Sequence, residues 1–389
     1  MDQAGEGTFR SALKNAWKIT LPALLISLGF NFVSGTFLGK YFDKLMISYP
    51  VLLVVLPGLM GLRGNIFGSL ASRFTTALYL GEIQASLRER RVGENIYLSV
   101  VLSVLPIFLL WIVGTLKTGH IHMAFFALLI LFASTVFVSL LLGYSTAIIT
   151  IVPFRRGLDP DSIASPLITS MADLLTIPIL IFFILMYEYH EMSFYALFLL
   201  SLLIILSMSM HYRIERRTFF EVSGILLVLS AISSISGGVL QSYSEVIHES
   251  AIVSVIYPAL LGSLGNYGGV VAAKTSTRLH LGYFEGFFDE SVVKEILALI
   301  TTGFVVSGVI YSGGYLISEL VLSRKVVFYP YFVPMYILIM SFVMLVSAVF
   351  VHIFHRFGLD PDNVSIPTIT TIADLIGTVF AVVIAGMMV

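Results

Sequence analysis

The chain has no cysteine among its 389 residues. Disulfide staples and thiolate metal sites are excluded together. Charge is the second scarcity. Asp, Glu, Lys and Arg make up 12% of the residues, about half the share in a soluble domain. The formal net charge is −1, so no basic excess points to nucleic acid. The eight histidines are scattered; only His120 and His122 sit close together, in what reads as a solvated loop. Long polar stretches are missing too, which leaves no room for a large soluble domain. What remains is apolar: 58% of the residues are hydrophobic and the mean hydropathy is +0.97. The solvent for such a chain is lipid.

A helix that crosses a bilayer needs about 20 apolar residues. Eleven runs qualify, at roughly 17–38, 46–66, 95–116, 123–153, 162–187, 192–210, 219–240, 247–267, 292–318, 329–353 and 363–388. The second and eighth continue into less apolar stretches, 67–80 and 268–281, read as helix extensions toward the aqueous side. Arg10, Lys14 and Lys18 before the first run resemble the start of a signal peptide. That run continues to about Leu38 without a clear cleavage site and has a counterpart in the second half, so it reads as a transmembrane helix. Loops on one side then hold thirteen Lys and Arg, and loops on the other hold five. The positive-inside rule puts the N-terminus in the cytoplasm and, with eleven spans, the C-terminus outside. The expected location is the cell membrane, multi-pass.

The chain repeats itself at an offset of 201 residues. Pro57, Gly61 and Gly64-Asn65 match Pro258, Gly262 and Gly265-Asn266. Gly157-Leu158-Asp159-Pro160-Asp161 matches Gly358-Leu359-Asp360-Pro361-Asp362. Pro166, Thr169, Ala172 and Asp173 match Pro367, Thr370, Ala373 and Asp374. Each copy holds five spans, an odd number, and the unpaired sixth span returns the chain to the cytoplasmic side. The expected architecture is all-α, with about 11 transmembrane helices. Two parallel five-helix repeats, 1–190 and 213–389, are joined by a linker helix at 191–212 and related by a pseudo-twofold axis along the membrane normal. The pseudo-dimer lies within one chain, so a monomer suffices for action.

Asp173 and Asp374 are the leading site candidates. Each falls about eleven residues into its span, near mid-bilayer, where a carboxylate is costly and by default functional. Ser162, Ser165, Thr169, Asp173 and Thr176 share one helical face; Asn363, Thr370 and Asp374 repeat it. Two such carboxylates on a shared axis repel unless a cation sits between them. Mg²⁺, which keeps its waters, is often held by one or two carboxylates. Aspartate and threonine are hard oxygen ligands that leave Mn²⁺, Co²⁺ and Ca²⁺ open. Asp159 and Asp360 read as helix N-caps before proline, and Asp161 and Asp362 as further carboxylates at the inner mouth. Gly64-Asn65 and Gly265-Asn266 read either as small-residue packing or as unwound helix offering carbonyls and an amide to an ion. Arg73 and Lys274 are placed near the inner mouth. An intramembrane aspartyl protease also needs two buried aspartates, but Met171-Ala172-Asp173 and Ile372-Ala373-Asp374 lack the Gly-x-Gly-Asp or Tyr-Asp setting.

Pro57, Gly61, Gly64, Asn65, Ala71-Ser72-Arg73, Thr75 and Thr76, followed by Gly-Leu-Asp-Pro-Asp and Thr-x-x-x-Asp, resemble the MgtE-type magnesium transporters. The duplicated, solute carrier family 41 branch is the nearer likeness. The resemblance runs through both halves. It implies a pore at the interface of two five-helix units, Asp173 and Asp374 as pore aspartates, and passage of hydrated Mg²⁺ as substrate without catalysis. The sensor domains of bacterial MgtE proteins have no counterpart in this sequence, so that gating scheme does not carry over. In the second copy Ala272-Ala273-Lys274 replaces Ala-Ser-Arg. A carrier for Mn²⁺ or Co²⁺, or a Na⁺-coupled exporter, is the competing reading.

Overall fold

The computed structural model describes residues 9–119, 121–156, 161–214, 216–280, 289–357 and 361–388. Those residues form helices and connections, with no strand among them. Eleven helices are long and apolar enough to cross a membrane. They are α1 (Phe9–Ile47), α2 (Pro50–Tyr79), α3 (Arg90–Thr118), α4 (Ile121–Arg155), α5 (Asp161–Tyr189) and α6 (Glu191–His211), then α7 (Arg216–Ser242), α8 (Ile252–His280), α9 (Glu290–Leu316), α10 (Phe332–Arg356) and α11 (Pro361–Met388). A short helix, Ser244–Glu249, precedes α8. The all-α, polytopic expectation is therefore met. In lipid the backbone finds no water, and a helix satisfies its own N–H and C=O groups. Hydroxyls inside the spans follow the same rule. Thr150, Thr176 and Ser347 each donate to the carbonyl four residues back, at 2.8, 2.6 and 2.8 Å.

The edges differ from the hydropathy reading. α2 runs 30 residues and α8 runs 29, each as one helix through its internal proline. Hydropathy falls in their second halves because polar side chains there turn inward. Thr75 in α2 is buried, as are Thr275 and Ser276 in α8. The extensions at 67–80 and 268–281 are thus continuous with their parents. Neither helix unwinds at its Gly-Asn pair, so the small residues serve close approach.

The helices group into two compact units that do not follow the repeat boundaries. One comprises residues 1–39 and 243–389, the other 40–242. In the first, α1 packs on the second copy's helices. A Cβ on Gly35 would stand 1.8 Å from the Val255 carbonyl oxygen of α8, and one on Gly313 of α9 would stand 2.5 Å from the Phe32 ring. Trp17 donates its indole N–H to Thr301 Oγ1 at 2.9 Å. In the second unit, α7 packs on α2 and α3. A Cβ on Gly237 would stand 1.6 Å from the Val54 carbonyl oxygen. Val54 and Val255 are repeat equivalents, 201 apart. The same helix-on-helix contact therefore occurs twice, each time using the first helix of the other copy.

Backbone-to-backbone approach of this kind tolerates only glycine. Gly237→Ala should lower stability by about 1–3 kcal/mol through overpacking, read as a fall in the thermal midpoint in detergent. Gly238→Ala is the control, since its Cβ would meet only Lys117 at 4.0 Å. Equal behaviour of the two variants would contradict the contact.

Candidate functional site

Each unit brings its Gly-Asn pair against its aspartate-bearing helix. In residues 40–242, α2 packs on α5. A Cβ on Gly64 would lie 3.3 Å from Thr169 Cγ2, and Asp173 follows Thr169 by one helical turn. Asp173 is 6% exposed and Ser170 is 2% exposed. Thr176 is buried with its hydroxyl turned to the Ala172 carbonyl.

The other unit repeats the arrangement. α8 packs on α11, and a Cβ on Gly265 would lie 3.7 Å from Thr370 Cγ2. Asp374 is 8% exposed. Thr370 and Thr371 donate to the Pro367 carbonyl at 3.0 and 2.9 Å. Thr378 donates to the Asp374 carbonyl at 2.7 Å and shares a 2.8 Å hydrogen bond with Tyr257. Asn266 Nδ2 donates to Ser27 Oγ of α1 at 3.2 Å. Glycine brings the asparagine-bearing helix close to threonine, and threonine precedes aspartate by four residues. A carboxylate, hydroxyls and an amide on adjoining helices are hard, neutral-to-negative oxygen chemistry, suited to a cation that retains water.

Other sequence candidates fare differently. Lys274 forms an ion pair with Glu295 of α9, which is buried. Arg73 donates to Ser99 Oγ at 3.4 Å. Asp159 and Asp360 lie outside the described residues, as does His120. Asp161 and Asp362 lie in the first turns of α5 and α11, but their side chains are outside the description. Among the described residues no three His, Cys, Asp or Glu side chains gather to hold a metal ion.

One residue escaped the sequence reading. Arg63, immediately before Gly64, is 1% exposed. Its Nη2 donates to Thr135 Oγ1 of α4 at 3.1 Å. Among the described residues its Nε and Nη1 find no partner. The repeat equivalent is Leu264, so this buried cation belongs to one copy only. A charge inside an apolar run was the available signal.

The comparisons with known proteins give the family. The family described as MgtE, divalent cation transporter, matches residues 56–183 and again 257–384, more than half of the chain. This chain belongs to the MgtE divalent cation transporter family. The two matched stretches start 201 residues apart, the offset of the repeat. Solute carrier family 41 member 3 of Rattus norvegicus is 26% identical over 399 residues, covering 95% of this chain and 86% of the relative. Solute carrier family 41 member 2 of Xenopus laevis is 29% identical over 410 residues, covering 95% and 71%. Magnesium transporter MgtE of Thermus thermophilus is 24% identical over 168 residues, covering 42% and 35%. No solved structure matches. Members of the MgtE family are transporters, so the chain is no enzyme. It is a multi-pass membrane protein that acts on divalent cations.

Within this family the Arg63 guanidinium is either structural or functional. A buried charge with one hydrogen bond is a net cost to folding. Arg63→Leu, the residue of the second copy, should leave the thermal midpoint unchanged or raise it. A loss of about 3 kcal/mol, the size seen when a needed buried partner is removed, would show instead that the guanidinium holds the fold.

Proposed function

We propose that this protein carries Mg²⁺ across the cell membrane, with Asp173 and Asp374 as the carboxylates that meet the hydrated ion. The observation that carries the reading is the duplicated setting of the two aspartates. Each is almost fully buried on a membrane-spanning helix, one turn beyond a threonine packed against a Gly-Asn pair. A buried carboxylate in a span is expensive, and retaining it twice at equivalent positions fits a pathway better than a structural bond. The relative named a magnesium transporter supports the choice of ion.

In this reading both aspartates serve one cation pathway, one from each copy, and two negative charges match one divalent ion. Thr169, Thr370, Asn65 and Asn266 bond the ion's water shell, because Mg²⁺ dehydrates reluctantly. Asp161 and Asp362, with Asp159 and Asp360, raise the local cation concentration at the entrance. Gly64 and Gly265 hold the helices close enough to narrow the path, and Arg73 and Lys274 lie toward its cytoplasmic end. The N-terminus is cytoplasmic and the C-terminus outside, following the excess of Lys and Arg on one side. One chain carries both copies and transports as a monomer.

The test is flux into proteoliposomes across a divalent series, with and without a Na⁺ gradient. The reading expects Mg²⁺ to be carried without need of Na⁺. Transport of Mn²⁺ or Co²⁺ in preference to Mg²⁺, or strict dependence on the Na⁺ gradient, would overturn it in favour of a different carrier or a coupled exporter.

A further inference from the structure

The two aspartates share one setting, and Asp374 has a second that Asp173 lacks. α8 and α11 run antiparallel along a common seam. A Cβ on Gly265 would lie 3.7 Å from Thr370 Cγ2, one on Gly377 would lie 3.2 Å from Leu264 and 3.3 Å from Leu261, and Tyr257 meets Thr378 at 2.8 Å. Thr370, Asp374 and Thr378 recur at four-residue steps, which places them on one side of α11. The contact of Thr370 with Gly265 is the one that Thr169 makes with Gly64 in the first copy. The contact of Thr378 with Tyr257 has no such counterpart. The equivalent positions are Ile177 and Leu56, both fully buried and apolar.

The direction of the bonds follows from the proton count. A threonine hydroxyl has one proton to give. Thr378 gives it to the Asp374 carbonyl at 2.7 Å, so in the 2.8 Å contact the Tyr257 hydroxyl is the donor. The chain runs from Tyr257 to Thr378 to the backbone of Asp374. Tyr257 and Thr378 are fully buried, and a low local dielectric strengthens such bonds. They tie α8 to the residue from which the carboxylate hangs, and so fix the height and rotation of α11 there. Two other buried tyrosines of this unit make chains of the same form. Tyr336 donates to Ser263 at 2.9 Å, and Ser263 to the Leu260 carbonyl at 3.0 Å. Tyr267 bonds Thr302 at 3.0 Å, and Thr302 donates to the Leu299 carbonyl at 2.7 Å. Of the three chains, the one from Tyr257 ends on a carboxylate-bearing residue.

We propose that Tyr257 is a positioning residue for the transported cation, which acts through Thr378 to fix the turn of α11 that presents the Asp374 carboxylate. The inference rests on the reading of Asp374 as a carboxylate that meets the ion. It makes the two halves unequal: Asp374 is held in place by a hydroxyl chain, whereas apolar residues occupy the matching positions beyond Asp173. A side chain ordered in advance need not be ordered by the ion, and the gain shows in affinity.

Mg²⁺ flux into proteoliposomes, measured against Mg²⁺ concentration, tests this alongside the thermal midpoint of each variant in detergent. Tyr257→Phe should raise KM about fivefold and leave the maximal flux within about twofold of wild type, as lost ordering of one side chain predicts. Thr378→Val should do the same, and Thr378→Ser, which keeps the hydroxyl, should hold the wild-type KM. The Tyr257→Phe, Thr378→Val double variant should raise KM no further than either single variant, because both cut one chain. Tyr336→Phe removes an equally buried hydroxyl from a chain that ends on leucine. Its KM should stay at the wild-type value even where its midpoint falls as far as that of Tyr257→Phe. A wild-type KM in Tyr257→Phe, or an equal rise in Tyr336→Phe, would overturn the proposal. Asp374→Asn separates this failure from that of the ion reading. If it removes most of the flux while Tyr257→Phe keeps the wild-type KM, the positioning role alone is wrong. If it leaves both flux and KM unchanged, the ion reading is wrong and the positioning role goes with it.

Discussion

A bilayer interior offers no hydrogen-bond partners, and the structure follows from that constraint. Each unsatisfied backbone group in hydrocarbon costs several kcal/mol, so the spanning segments are helices. Hydroxyls of Ser and Thr fold back onto their own helix, as Thr150 and Ser347 do. Whatever polarity remains unsatisfied locally must find a partner on a neighbouring helix, as Asn266 finds Ser27 and Tyr267 finds Thr302. Against that background the few buried charges stand out. Lys274 and Glu295 neutralise each other. Among the described residues Arg63, Asp173 and Asp374 are also buried in membrane-spanning helices, and two of the three are repeat equivalents.

Much of the fold was legible because the same constraint writes itself into hydropathy. All eleven runs correspond to helices, and the unpaired run at 192–210 is α6. The edges were less legible. The first run, read as 17–38, belongs to a helix spanning Phe9–Ile47, and α2 outlasts its apolar run by about a dozen residues. Hydropathy reports average polarity, whereas helix length depends on whether polar residues such as Thr75 and Thr275 have an interior to face. The pairing of Gly64 with Thr169 and of Gly265 with Thr370 was hidden as contact, although all four residues had been marked by the repeat. Spacing could not choose between unwinding and packing at the Gly-Asn pairs; the continuous helices decide for packing.

Partner choice was the least legible level. A hydropathy pattern states that α1 and α7 cross the membrane, not what they touch. The exchange, in which α1 joins the second copy's helices and α7 joins the first's, rests on glycines 35 and 237 and the carbonyls of Val255 and Val54. Exchanged first helices make each compact unit depend on chain from both copies. That dependence suits a fused duplication, because neither repeat is complete without the other.

The central claim is that Asp173 and Asp374 act on one ion, and a double-mutant cycle on Mg²⁺ flux tests it most directly. Residues that serve the same event are non-additive, whereas independent ones add. Asp173→Asn and Asp374→Asn keep the side chain's shape while removing its charge. Flux into proteoliposomes would be measured for wild type, each single variant and the double variant. The account predicts that either single variant loses most of the flux and that the double loses little more. Two modest single losses that multiply in the double would place the aspartates on separate paths, and undiminished flux in the double variant would remove them from the pathway altogether.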